Sequence, residues 1–245
     1  MTIKRYRKKD RLSYSFGAFP TMELVNNRED LVEELLISEK LENKEKFIEI
    51  FDKKGLAWRI DGKSINRIAN KDNIFLIGVF RKELEKAENF NHLVCDNISD
   101  MGNLGNIMRT MLAMGIYDLI TIGNACDLYN PKTVRASMGA IFHIRHSHFS
   151  SYEEYLKNFP NDDRDSFMFM LDKEAIRLSR AASEHKNMPS SRKWSLVFGN
   201  EGSGLDKKMI DYGKAVYIEQ SEEVDSLNLT TAVAIGLYEF CRERD

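Results

Sequence analysis

From His92 onward the chain alternates short apolar runs with stretches of helical spacing, and this alternation limits the fold more than any other feature. His92–Asp96, Asp118–Gly123, Ile141–Ser147, Phe167–Leu171, Trp194–Gly199 and Ala215–Glu219 read as strands. Between them, Gly105–Met114, Lys132–Met138, Tyr152–Asn158, Glu174–Glu184 and Leu205–Tyr212 read as helices, and Leu227–Arg244 as a long terminal one. Strand and helix in turn predict a mostly parallel sheet covered on both faces. Ligands of such sheets sit beyond the carboxyl ends of the strands, so the loops that follow strands are where chemistry is sought.

The first ninety residues read as a smaller α/β unit. Arg28–Leu36 has helical spacing, with Leu31, Leu35 and Leu36 on one side, and Leu36–Glu39 is a short strand candidate. Glu45–Lys54 is expected to bury Phe47, Ile50 and Phe51 and to stop at Gly55. Leu56–Ile60 and Ile74–Phe80 follow as strands, with Ser64–Asn70 as a short helix between them. The charged segment Arg81–Asn91 reads as a linker, which predicts domains at 1–90 and 91–245.

Composition narrows the function classes. A 245-residue chain with 42% hydrophobic and 30% charged residues suits a globular protein with a sizeable core. No apolar run reaches the ~18 residues of a membrane span, and the basic N-terminus is not followed by the apolar stretch of a secretory signal. Cys95, Cys126 and Cys241 are scattered, without metal-ligand spacing, and are expected to be reduced thiols of a cytoplasmic protein. The formal charge of −2 argues against a purely electrostatic nucleic-acid coat, while 36 Lys and Arg leave room for a local basic face. The run Lys4–Lys9, five cations around Tyr6, is either a phosphate- and base-binding arm or a frayed tail.

Three strand-following segments carry the candidate chemistry. In the first, Gly102, Asn103 and Gly105 suit a tight approach to a ligand, and Arg109 is expected about one turn into the following helix. A cation there opposes the helix dipole, so a phosphate or acidic partner is expected beside it. The second, Gly199-Asn-Glu-Gly-Ser-Gly204, has the order G-x-x-G-x-G, which is neither the dinucleotide fingerprint nor a P-loop. Its Glu201 is placed to hold Arg109 or a main-chain donor. The third opens the last helix, with Ser226 as the expected cap and Asn228, Thr230 and Thr231 as polar groups beside the glycine loop. Lys132 and Arg135, on the turn after Pro131, offer an anion-contact surface. His146 and His148 share one strand face and His143 takes the other, which lacks a third ligand for a metal site.

Taken together, Asn103-x-Gly-x-x-x-Arg-Thr, Arg135-Ala-Ser-x-Gly-Ala140, Gly199-Asn-Glu-Gly-x-Gly-Leu205 and Ser226-Leu-Asn228 resemble, in order and spacing, the SpoU (TrmH-like) branch of the SPOUT methyltransferases. The likeness covers residues 92–245, and residues 12–88 resemble the ribosomal-protein-like substrate-binding domain that precedes many such domains. The resemblance implies a sheet whose C-terminal part is threaded into a deep trefoil knot, a homodimer, and S-adenosylmethionine as methyl donor. It implies methyl transfer to a ribose 2′-hydroxyl of RNA, with rRNA favoured over tRNA by the N-terminal extension. By position, Gly199, Ile218 and Leu227 would contact the donor. Asn103, Arg109, Glu201, Ser226 and Asn228 would form the catalytic surface, with Lys132 and Arg135 on the RNA. Two departures stand out: Met101 where the family usually has proline, and Glu219-Gln220 where it has Pro-Met. Glu219 is thus expected to bring charge beside the donor pocket. A knotted RNA-binding protein without catalysis, or an unrelated α/β nucleotide binder, is the competing reading.

Overall fold

In a computed structural model, residues 4–69, 73–170, 172, 174–221, 223 and 226–242 are described. The elements run β1 (Leu12–Phe16), α1 (Ala18–Asn27), β2 (Val32–Ile37), α2 (Lys44–Lys53), β3 (Trp58–Ile60), α3 (Gly62–Ala69), β4 (Leu76–Arg81), β5 (His92–Asp96) and α4 (Met101–Ala113). They continue as β6 (Asp118–Ile122), α5 (Pro131–Ala136), β7 (Arg145–Phe149), α6 (Tyr152–Asn158), β8 (Arg164–Phe169), β9 (Ile176–Arg177), α7 (Leu178–Lys186), β10 (Lys193–Phe198), β11 (Lys214–Tyr217) and α8 (Leu229–Cys241). The expected element ends at Asn70, Leu171 and Arg244 lie outside the described residues.

The chain forms two compact units. The first joins Met1–Leu84 to Asp127–His143, and the second joins Glu85–Cys126 to Ile144–Asp245. The expected boundary near residue 90 therefore falls inside the second unit, and the excursion 127–143 packs with the first. No described helix is long and apolar enough to cross a membrane.

In the first unit a four-stranded sheet has the order β1-β4-β2-β3, antiparallel except for the β2–β3 pair. Its centre is Leu35, Leu36, Ile37, Ile77 and Val79, all within 1% of full burial. This overturns the helix expected at Arg28–Leu36. A 3₁₀ turn at Glu29–Leu31 is followed by β2, whose Leu35 and Leu36 fill opposite faces of the sheet rather than one side of a helix. Two buried faces remove the alternation that would have signalled a strand. The segment 127–143 is held by side chains: Ser13 Oγ donates to the Tyr129 carbonyl at 2.5 Å, and the Phe80 and Phe142 rings meet edge to face at 5.1 Å. Residues 4–9 are pinned rather than frayed. The Tyr6 hydroxyl donates to Asp127, the Lys82 ammonium lies 4.3 Å from the Tyr6 ring centre, and Tyr14 donates to the Lys4 carbonyl at 2.5 Å. One face of the Tyr6 ring is thus covered by Lys82.

The second unit holds a seven-stranded sheet of order β7-β6-β5-β10-β8-β11-β9, with every pair parallel. Two expected spans shift here. Ile141–His143 belongs to a 3₁₀ turn, with β7 starting at Arg145, so His143 is not on that strand. Residues 205–212 make only a 3₁₀ turn, Lys207–Tyr212, and 174–184 gives the two-residue β9 before α7. His146 and His148 do share a face, both reaching Thr121 Oγ1, at 2.9 and 3.1 Å.

At the amino ends of the central strands buried polar groups bond one another, with Arg164 Nε alone in that group left without a partner among the described residues. Arg164, 1% exposed, donates to the Trp194 and Phe90 carbonyls, Asn89 Oδ1 and Ser195 Oγ. Ser195 in turn lies 2.6 Å from the Tyr155 hydroxyl, which lies 2.9 Å from His92 Nδ1. The Glu88 carbonyl can only accept, so Nε2 carries the hydrogen and donates to it at 2.7 Å, and in the neutral ring Nδ1 then accepts from Tyr155. Burial first, then the Arg164 charge, pushes the His92 pKa down to about 3. The expected linker is therefore a bound strap: Ala87 N and Glu88 N also donate, to Ser147 Oγ and Asp118 Oδ1.

Candidate active site

Strand order alone brings the three segments together. The sheet places β5, β10, β8 and β11 side by side and parallel, so the loops after them open on the same edge. The first segment follows β5, the second follows β10 and the third follows β11.

Beyond β10 the chain turns back sharply. Gly204 N donates to the Asn200 carbonyl at 2.9 Å, and Gly204 sits at φ +68°, a left-handed conformation suited to glycine. A Cβ on Gly199 would lie 2.2 Å from the Gly204 carbonyl carbon, so no side chain fits there. Asn200 Oδ1 accepts from Gly202 N at 2.9 Å, while its amide donates to the Asn97 carbonyl at 2.9 Å. The second segment is thereby tied to the loop after β5.

That loop begins its helix earlier than expected. Asp100 caps α4 by accepting from Asn103 N at 2.7 Å, so Gly102 and Asn103 form the first turn rather than a loop. Arg109 consequently lies past the middle of the thirteen-residue helix, not one turn from its start, and the dipole argument for an anion beside it falls away. Asn103, Asn106 and Arg109 follow one another at three-residue intervals along the accessible side of α4, and rise per residue puts Arg109 about 9 Å along the axis from Asn103. Arg109 is exposed, and its guanidinium has no hydrogen bond or ion pair among the described residues.

Glu201 couples the first two segments. It accepts from Ser99 Oγ at 3.2 Å, Asn103 Nδ2 at 3.2 Å and Asn200 Nδ2 at 3.3 Å. Burial alone would raise its pKa, but these donors and nearby backbone amides outweigh burial and hold the carboxyl below its ordinary value. Arg109, expected as a partner of Glu201, is not among these contacts; the Asn103 side chain is, beside main-chain amides.

The third segment is capped differently from the expectation. Asn228, not Ser226, is the N-cap of α8, its Oδ1 accepting from Thr230 N at 2.9 Å and from Thr230 Oγ1 at 2.6 Å. Ser226 is free of the capping role and lines a cavity of about 510 Å³ with Gly199, Glu201, Ile218 and Leu227. Its floor is the Phe169–Phe198 stack, with centroids 4.0 Å apart, and Gly236 of α8 lets those rings lie close because a Cβ there would sit 2.8 Å from Phe169 Cζ. Glu219 does not line the cavity. It pairs with Arg177 at 3.2 Å, and Gln220 faces the cavity instead.

All three expected donor-contact residues therefore line one cavity, together with Glu201 and Ser226, and Asn103 is joined to it through Glu201. Arg109 and Asn228 do not line it, and Lys132 and Arg135 belong to the first compact unit. Sequence reading missed Ser99, Asp100 and Asn200 as anchors. Asp100 was findable, since an Asp before a helical run is a start signal. Phe169, Asp172 and Lys207 also line the cavity without any local motif to mark them.

A cavity of this size, floored by aromatic rings and rimmed by main-chain groups over adjacent parallel strands, defines a small-molecule-binding α/β protein. The SpoU rRNA Methylase family profile matches residues 91–238, and the chain belongs to that family. It is 30% identical over 152 residues to the 23S rRNA (guanosine(2553)-2′-O)-methyltransferase RlmP of Bacillus subtilis, covering 60% of this chain and 56% of that one. It is 28% identical over 174 residues to the 23S rRNA (uridine(2479)-2′-O)-methyltransferase of Streptomyces viridochromogenes, covering 64% and 54%. The chain thus spans little more than half the length of these relatives. Among solved structures, the AdoMet-bound rRNA methyltransferase from Sinorhizobium meliloti superposes with a TM-score of 0.76 at 23% identity, covering 94% of this chain and 87% of that one. The SpoU methyltransferase AviRb from Streptomyces viridochromogenes, also with AdoMet, gives 0.76 at 20% identity, covering 94% and 90%. These likenesses give the fold: an α/β architecture with a parallel sheet, shared with those solved structures.

Proposed function

We propose that this protein transfers a methyl group from S-adenosylmethionine to a ribose 2′-hydroxyl of RNA, with ribosomal RNA as the favoured substrate. One observation carries the reading: the cavity lined by Gly199, Ile218 and Leu227 is coupled through Glu201 to Asn103 on a helix that also displays the exposed Arg109. The cavity fits the donor in size and lining, with flat rings for an adenine and main-chain groups for its polar edge. When bound, the donor supplies an electrophilic sulfonium methyl.

The chain's residues then have a division of labour. Guanidinium is almost always protonated and so is a poor base. Arg109 instead grips the phosphate beside the target ribose and polarises its hydroxyl, whose proton passes to solvent as S-adenosylhomocysteine leaves, and Glu201 fixes Asn103. Ser226 and the Asn228 amide orient the ribose, Asn228 Oδ1 being occupied by Thr230. Most of the rate gain comes from holding two reactants in line. Arg109 does not line its own chain's cavity, which fits a homodimer whose two copies complete each other's site. Lys132 and Arg135 contact RNA, the unit ahead of the family-matched region serves as an RNA-binding domain, the strands carry a trefoil knot, and the protein works in the cytoplasm.

The names of the relatives from B. subtilis and S. viridochromogenes support 23S rRNA over tRNA. Ribose-methylation mapping of total RNA from cells with and without the gene tests this. A single 2′-O-methyl mark lost from rRNA is expected. A mark lost only from tRNA redirects the substrate, and no mark lost from either, with no methyl incorporation in vitro, overturns the reading.

A further inference from the structure

Among the described residues that line the donor cavity, three side chains are charged: Asp172, Glu201 and Lys207. Glu201 is committed to Ser99, Asn103 and Asn200. The other two stand apart from that network. Asp172 follows the carboxyl end of β8, where one carboxylate oxygen accepts from Glu174 N at 2.9 Å and turns the chain, leaving the second oxygen without a bond among the described residues. Lys207 follows the glycine loop as the first residue of the Lys207–Tyr212 turn. Its neighbour Asp206 is spent on capping that turn, accepting from Lys208 N at 3.0 Å, and Lys207 has no ion pair among the described residues. The cavity therefore presents two anions and one cation, two of the three unpaired.

S-adenosylmethionine carries the opposite set: a sulfonium and an ammonium, both positive, and one carboxylate. We propose that Asp172 and Lys207 read the amino-acid tail of the donor, Asp172 taking the ammonium and Lys207 the carboxylate, and so make this cavity selective for a donor that carries that tail. The inference rests on the donor-binding reading above. It concerns positions outside all four family-like segments, on loops whose sequence shows no motif. Charge-assisted hydrogen bonds of this kind are among the stronger polar contacts, though Lys207 is exposed and water screens it.

The test separates tail from nucleoside. Calorimetry on the full chain compares S-adenosylmethionine, S-adenosylhomocysteine, and 5′-methylthioadenosine, which keeps the nucleoside and lacks the tail. Lys207→Met and Asp172→Asn are each expected to weaken the two tailed ligands about fivefold, with 5′-methylthioadenosine unchanged within about twofold. In the unaltered protein, raising salt should weaken S-adenosylmethionine more than 5′-methylthioadenosine, a check that needs no variant. Equal losses for tailed and tailless ligands, or no loss for either, together with the same salt response for both, would overturn the assignment. If the unaltered protein binds none of the three, the methyltransferase reading itself fails, and the two failures are thereby told apart.

Discussion

At the amino ends of the central strands in the seven-stranded sheet, polar groups are buried and consume one another. Arg164, Ser195, Tyr155 and His92 form one chain of hydrogen bonds that also pins the strap 85–91. At the carboxyl ends of the same strands the reverse holds. Glycines keep the backbone accessible, Ser226 lies in the cavity wall, and Arg109 is exposed without a partner among the described residues. The same strands thus end in a buried hydrogen-bonded network on one side and an open loop cluster on the other. A parallel sheet needs one end to be rigid if loops at the other are to hold reactants in place.

The contrast can be broken at its rigid end first. Arg164→Ala leaves the Trp194 and Phe90 carbonyls unpaired and a void where a large side chain was fully buried. A loss of about 3–5 kcal/mol is expected in urea unfolding, with donor affinity per folded molecule preserved. A loss under about 1 kcal/mol would mean the network does not bear on stability. At the open end the expectation is inverted. Arg109→Ala should lower methyl transfer by about 10²–10³-fold while donor binding and unfolding midpoint stay as they were, and undiminished turnover removes Arg109 from the mechanism.

Gly199→Ala sharpens the comparison, because it disturbs an open loop by steric means. The added methyl meets the Gly204 carbonyl carbon at 2.2 Å, so the turn must open, and a drop of about tenfold or more in donor affinity is expected, equivalent to 1–3 kcal/mol of overpacking. Unaltered calorimetric affinity would show that the turn is not what shapes the cavity. The rigid end also carries a pH dependence. The unfolded chain protonates His92 near 6.5 and the folded protein only near 3. Between those values the unfolded state binds the extra proton, so stability is full above 6.5 and declines as pH falls towards 3. His146, lowered to about 4 by burial and the adjacent His148, adds in the same direction. The slope of unfolding free energy over this window should flatten in His92→Gln; an identical slope would remove His92 from the linkage.

The sequence disclosed these two ends unequally. The strand–helix alternation after His92 was legible because each parallel strand is a short, continuous apolar run. The glycine turn was legible because only glycine meets its steric demands. Arg109 was misplaced because Asp100 starts α4 four residues before the expected Gly105, and Ser226 because the cap sits two residues later at Asn228. Both are errors of helix phase, which local composition fixes only to within a few residues. The strand β2 was missed because its two buried faces hide its period. Nothing local marks Arg164, Ser195 and Tyr155 as one network, since residues 31 and 40 positions apart meet only through strand order. The same holds for Asp172 and Lys207, which come together because β8 and β10 are neighbours.

The excursion 127–143 has a consequence for how the protein is made. The first unit takes in β1, β4 and also α5, with Ser13, Phe80 and Tyr6 each contacting a residue of that later segment. A ribosome that has released the first ninety residues has therefore not yet delivered everything the first unit packs around. Domains generally fold in order as they emerge, N-terminal first. Here the N-terminal sheet must wait, with Ser13 and Phe80 lacking their partners, until His143 has left the exit tunnel. By then β5, α4 and β6 of the second unit have already been synthesised, so the two units mature in overlap rather than in sequence. Pulse proteolysis of stalled nascent chains would see this as protection of the first unit arriving after residue 143 rather than after residue 90.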